Sequence, residues 1–392
     1  MKEISAADVR RARKATKSVF LVCGLGVASW APMVPFAKDR LQLDDAALGM
    51  VLLLLGAGAI VAMPLAGLLV HRAGSRLVML CSGLLTAATL PLLIWLATPI
   101  TLGIGLFVFG AGVGAIDVSM NAHAVVVQNL YGKHILSSFH GLFSVGGLCG
   151  SLGLGFLISL GLSPGIAALS ISALLAAILL LQFRFLLDRG AELDGGEPAA
   201  EQGDPGARML WLRPAVLFLG LMCFVLFLAE GAMLDWSALL LREHRGMEAA
   251  FAGSGYAAFS VAMATMRLLG DGLIERFSSR RIVLWGTLLA AFGLLLAVST
   301  PWTITALLGF VLLGLGAANT VPVFFSAAGK LKHVPPAVAI PAVTTMGYAG
   351  QLAGPGLLGF VAFHFSLPLA LGLTGVAICF AGLAFYFRQV KD

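Results

Sequence analysis

Long apolar runs, broken at intervals by short polar or basic stretches, dominate the chain. A helix needs about twenty apolar residues to cross roughly 30 Å of hydrocarbon, whereas the strands of a membrane barrel are about ten residues long and alternate in polarity. The runs here are continuous, and lipid offers the backbone no hydrogen-bond partners outside a helix, so they predict helices. Twelve spans are expected, at about 18–37, 46–70, 77–97, 99–128, 137–160, 164–187, 214–241, 249–274, 281–300, 303–327, 338–362 and 367–388. A basic arm precedes the first, with Ser5 and Asp8 spaced to cap a short helix. The arm and the run after it have the outline of a signal peptide. No small-residue cleavage site follows, so the segment reads as an uncleaved first span.

Composition agrees: 59% of the 392 residues are hydrophobic and 11% charged, against about 25% charged in soluble domains. An all-α integral membrane protein surrounded by lipid is expected. Of the 25 lysines and arginines, twenty lie at the termini and in the even-numbered connections. Four lie in the odd-numbered ones (Lys38, Arg40, Arg242 and Arg245), and Arg267 stands inside a span. By the positive-inside rule both termini are cytoplasmic, in a bacterial inner membrane. The net charge of +6 has the same origin, so no nucleic-acid partner is expected. Five cysteines scattered through apolar runs lack metal-ligand spacing and read as packing thiols. With no nucleophile elbow, zinc spacing or phosphate loop either, no metal, cofactor or enzymatic reaction is expected.

Residues 188–212 are rich in Gly, Pro and acid and read as a cytoplasmic linker. They separate an N-terminal half, 1–187, from a C-terminal half, 213–392. Slid over each other by 204 residues, the halves place Gly49 on Gly253, Arg72 on Arg276, Arg76 on Arg280, Gly110 on Gly314, Gly112 on Gly316, Gly146 on Gly350, Gly150 on Gly354 and Phe156 on Phe360. One constant offset over so many spans predicts two parallel six-helix repeats, the internal symmetry of transporters whose halves rock about a midplane site.

Across its whole length the chain resembles the major facilitator superfamily. The second-span loop Gly67-Leu-Leu-Val-His71-Arg72-Ala-Gly74-Ser-Arg76 is similar to that family's basic loop, with His71 in place of the usual acid. Asp271-Gly-Leu-Ile-Glu275-Arg276-Phe-Ser-Ser-Arg280 repeats it in the second half. The resemblance implies a conformational latch at His71, Arg72, Arg76, Asp271, Glu275, Arg276 and Arg280. Asp117 followed four residues later by Asn121, with a run from Phe139 and His140, is similar to the fucose-permease-like sugar–proton symporters. That branch's first-span acid has no counterpart near Ala31. A Gly-Pro common in drug antiporters is missing at Gly150-Ser151, although Gly354-Pro355 has one.

Acids inside the runs are few and costly there, so they mark proton or substrate paths. Asp117 leads, sharing a helix face with Asn121, Ala124 and Gln128. On the fifth span Ser137, His140, Ser144, Gly147 and Ser151 form a second stripe. The equivalent stripe of the second half is Thr344, Tyr348 and Gln351, while Val321 stands where an acid matching Asp117 would fall. His140 is a candidate partner of Asp117, for a proton or for substrate. His123, on another face, reads as packing. Glu230 is the second proton candidate; Asp235, about 140° around the same helix, reads as a rim residue. Arg267 and Asp271, one turn apart, are expected to neutralise each other. Trp30, beside Pro32, stands where the first span is expected to break, and it joins Asn319 as a candidate for substrate binding. The reading is a monomeric secondary transporter of a small polar solute, coupled to protons. The rivals are a proton-coupled exporter of amphipathic compounds and a transport-inactive membrane sensor.

Overall fold

A computed structural model describes residues 5–132, 135–190, 212–331, 334 and 336–388; most of the 188–212 connection lies outside them. The described residues are helical and contain no strand. Eleven helical segments among them are long and apolar enough to cross a membrane. The helices are α1 (Ala6–Ala28), α2 (Val34–Leu41), α3 (Asp45–Ala73), α4 (Ser75–Leu92), α5 (Pro99–Tyr131), α6 (Leu136–Ser159), α7 (Pro164–Phe183), α8 (Pro214–Arg245), α9 (Ser254–Arg276), α10 (Ser279–Ser299), α11 (Thr303–Ala317), α12 (Thr320–Ala328), α13 (Pro336–His364) and α14 (Leu367–Phe387). At 29 residues α13 has spanning length too, which accounts for all twelve predicted spans.

Two spans are broken, each for a local reason. The first is α1 and α2 joined by a 3-10 turn at Ala31–Met33, where Pro32 and Pro35 lack amide donors and Ser29 Oγ donates to the Leu25 carbonyl at 2.7 Å. The tenth is α11 and α12. Pro322, near the start of α12, cannot bond back to the Ala318 carbonyl, and the chain breaks at Asn319.

The described residues fall into two compact units: unit 1 within Met1–Leu43, Val51–Ala200 and Glu248–Gly253, unit 2 within Asp44–Met50, Glu201–Met247 and Ser254–Asp392. In unit 1, a Cβ on Gly110 would collide with the Leu55 carbonyl and one on Gly112 would meet Thr86 and the Ser82 carbonyl. In unit 2, Gly314 meets the Phe259 carbonyl in the same way, and Gly316 meets Gly286 and Ala290. Each partner in unit 2 lies 204 residues beyond its partner in unit 1. The offset that aligns the sequence therefore also aligns the packing. Gly146 and Gly150, set on the Leu21 and Leu25 carbonyls, are matched by Gly350 on the Phe224 carbonyl. Glycines at these positions let backbones approach where lipid supplies no hydrophobic drive to association.

Outward faces carry large apolar side chains such as Leu68, Ile100, Leu181 and Phe380, and Trp95, Trp285 and Trp302 stand exposed near helix ends. A soluble surface would not tolerate so much exposed hydrocarbon; a bilayer with interfacial indoles does.

Candidate functional site

Helix α5 in unit 1 brings Asp117 and Asn121 one turn apart, half-buried in an apolar span. Asn121 Nδ2 donates to the Asp117 carbonyl at 2.9 Å and to its Oδ1 at 3.3 Å. Cys23 on α1 lies within electrostatic reach of this carboxyl. No basic side chain among the described residues forms an ion pair with it. His140 is exposed and sets its ring edge-on to Phe20, centroids 5.2 Å apart. Asn121 is thus a side-chain partner of Asp117. Ser144 Oγ donates to the His140 carbonyl at 3.2 Å.

Three candidates are placed by packing rather than on an open face. Gln128 accepts from the Ile135 amide at 2.9 Å and so ties the end of α5 to the start of α6. Trp30 is wholly buried, and its indole Nε1 has no hydrogen-bond partner. Asn319 is 8% exposed and donates to the Met266 carbonyl at 3.3 Å, bridging the broken span to α9. A helix break exposes backbone only where neighbouring helices leave room, and here they close over it.

In unit 2, Tyr348 on α13 is 39% exposed and stacks on Phe227 of α8 at 5.5 Å. It corresponds to the His140–Phe20 contact of unit 1 displaced by one turn. Thr344 and Gln351 are half-buried on the same helix. Glu230 differs from its expected setting: Arg267 Nη2 donates to its Oε1 at 3.2 Å, across from α9 to α8. Whether Arg267 also meets Asp271 falls outside the described residues, as do the side chains of Asp271, Glu275 and Arg276. Tyr256 on α9 lies within electrostatic reach of Glu230, Arg267 and Asp235. Sequence reading passed over it, although Tyr256, Ser260 and Arg267 fall within about 40° of one another on a helix. Asp235 is 6% exposed and so is buried, not a rim residue.

His123 is buried as packing requires. Leu187 N donates to its Nε2 at 3.4 Å, so Nδ1 carries the proton shared with Ser75 Oγ at 2.7 Å. His71, Arg72 and Arg280 are exposed, whereas the Arg76 guanidinium lies over the Phe183 ring, 4.1 Å from its centroid. Cys81 and Cys149 are exposed, so of the five thiols only Cys23 and Cys223 are fully buried. Two odd-loop arginines have a use that no motif announced. Arg40 Nη2 donates to the Leu93 carbonyl at 3.2 Å and Arg245 Nη2 to the Ala297 carbonyl at 2.7 Å. Each holds the carbonyl end of a helix, α4 in one unit and α10 in the other, where a cation is favoured.

Residues 18–339, and again 236–392, match the family model of the Major Facilitator Superfamily. An uncharacterized MFS-type transporter of Yersinia pestis is 45% identical over 363 residues, 93% of this chain and 92% of that protein. Membrane protein MosC of Rhizobium meliloti is 32% identical over 378 residues, 95% of this chain and 89% of that protein. The crystal structure of the nucleoside transporter NupG shares the fold at a TM-score of 0.75 and 16% identity, covering 96% of this chain and 100% of that one.

Proposed function

Since this chain belongs to the Major Facilitator Superfamily, we propose that it is a secondary transporter that carries a small polar organic solute by alternating access, coupled to protons at Asp117. The observation that carries this reading is a half-buried carboxyl with an amide partner and no paired cation among the described residues, in a span that has no other reason to hold an acid. Its spacing from Asn121, similar to the fucose-permease-like symporters, supports a sugar-like solute. In the proposed cycle Asp117 takes a proton from outside, substrate binds, the protein turns inward, and the proton leaves to the cytoplasm. His140, Ser144, Thr344, Tyr348 and Gln351 are the proposed polar contacts, and Arg72, Arg76 and Arg280 with their loops the proposed latch. The membrane is the bacterial inner membrane, with both termini cytoplasmic.

In proteoliposomes, Asp117→Asn is expected to lose pH-driven accumulation while keeping equilibrium exchange, because the amide retains the hydrogen bond and loses the titration. Accumulation unchanged in that variant overturns coupling at Asp117. Resistance to amphipathic compounds without uptake of polar solutes would replace this reading by export.

A further inference from the structure

Arg267 is the feature of the second unit that the proton reading does not use. It is the one arginine or lysine well inside a predicted span and not near its end, and it is 44% exposed. The direction of that exposure is set by its helix. Val261 and Leu269 are the large apolar residues that α9 turns to the surface, and Arg267 lies about 160° around the helix from Leu269. It shares its face with Tyr256 and Ser260, both half-buried. The guanidinium therefore lies on the face of α9 turned away from Leu269. Of its five N–H donors, one is used, in a single bond to Glu230 Oε1. A carboxylate that engages Arg fully takes two parallel bonds. Glu230 holds this cation by one corner, and no other acceptor among the described residues takes the rest of the fork.

We propose that Arg267, with Tyr256 and Ser260 beside it, is the binding site for the carboxylate of a small organic acid, and that Glu230 is the built-in competitor for that site. This rests on the transporter reading and narrows its substrate class. When Glu230 is ionised it neutralises Arg267. When Glu230 takes a proton, the guanidinium is left without a counter-charge, and an incoming carboxylate supplies it. The site is neutral before and after, since one proton enters with one anion. Among the described residues the charged and titratable groups within reach of Glu230 are Arg267 and Tyr256 from α9 and Cys223 on its own helix, while Asp235 reaches Tyr256. From α13, Gln351 packs against Gly231 next to it. Carboxylate binding accordingly tightens as pH falls and Glu230 is protonated.

The test uses the purified full chain and matched solutes that differ in the carboxylate: glucuronate with glucose, gluconate with sorbitol, lactate with 1,2-propanediol. Binding is read by thermal shift and calorimetry at acidic and alkaline pH. The acid of at least one pair is expected to bind about tenfold or more tightly than its neutral partner, the difference a charge-assisted bond carries. Arg267→Gln is expected to lose that preference and Glu230→Gln to lose its pH dependence while keeping the preference. Should Arg267→Gln fail to fold with Glu230 left unpaired, the Glu230→Gln/Arg267→Gln double variant removes both charges and takes its place. Equal binding of acid and neutral solute, or a preference that survives loss of Arg267, overturns the site. Flux is measured separately in proteoliposomes. Transport of neutral solutes alone overturns the carboxylate site and leaves the transporter standing; Arg267-dependent binding without flux does the reverse.

Discussion

Single residues divide by whether their partner is local. Asp117 and Asn121 were legible because both ends of the contact lie within one helical turn of sequence. The same local logic named only Asp271, the nearest acid along the chain, for Arg267 and missed Glu230, 37 residues away, its partner across the helix interface. Trp30 was read as a binding candidate from the break beside it and Asn319 from its place after a glycine pair; that both are buried depends on other helices, which no window of sequence contains. His123 went the other way, since its position off the Asp117 face was enough to predict packing. It joins Ser75 and the Leu187 amide, both buried, so His123→Ala removes two buried hydrogen bonds. A loss of about 1–3 kcal/mol is expected, read as a lower unfolding midpoint of the purified protein with substrate affinity retained. An unchanged midpoint removes His123 from the packing.

At the scale of helices, the sequence announced the spans and the break of the first, because hydropathy and proline act locally, but not the break of the tenth at Asn319. It did not announce which glycines are contacts. Glycine is abundant here, 48 residues, and only the second helix of each contact separates a seam from a neutral position. Gly110 and Gly314 lie on the carbonyls of Leu55 and Phe259, whereas Gly67 and Gly153 have nothing within 4 Å of a built Cβ. Val at Gly110 or at Gly314 is therefore expected to lower the unfolding midpoint, with the two variants alike because their surroundings repeat. Gly67→Ala is expected to raise it or leave it unchanged, since Ala is a better helix former by about 1 kcal/mol. A thermal midpoint that falls for Gly67→Ala as it does for Gly110→Val would show that the seams have no special standing.

Over the whole molecule, the two-fold internal likeness was visible as an offset of 204 and reappears in the packing partners, while the chemistry does not follow it. Asp117 is matched by Val321, and the Glu230–Arg267 pair has no equivalent in unit 1. Duplication supplied the scaffold and later divergence supplied the site, which is why fold could be read from pattern and function only in part. One pair that does follow the repeat is Arg40 on Leu93 and Arg245 on Ala297. In the proposed orientation these arginines must be carried outward during biogenesis, against the charge bias that orients the chain. Neither carbonyl acceptor exists until the third span of its repeat has been synthesised. The first two spans thus leave the ribosome with an exported cation that nothing yet holds, and their orientation is secured only when α4 arrives. Chains truncated before Leu93 and tagged at the N-terminus are expected to insert in both directions, while longer chains insert in one, as read by protease protection of the tag; uniform insertion of the short form would mean that the basic arm orients the protein alone.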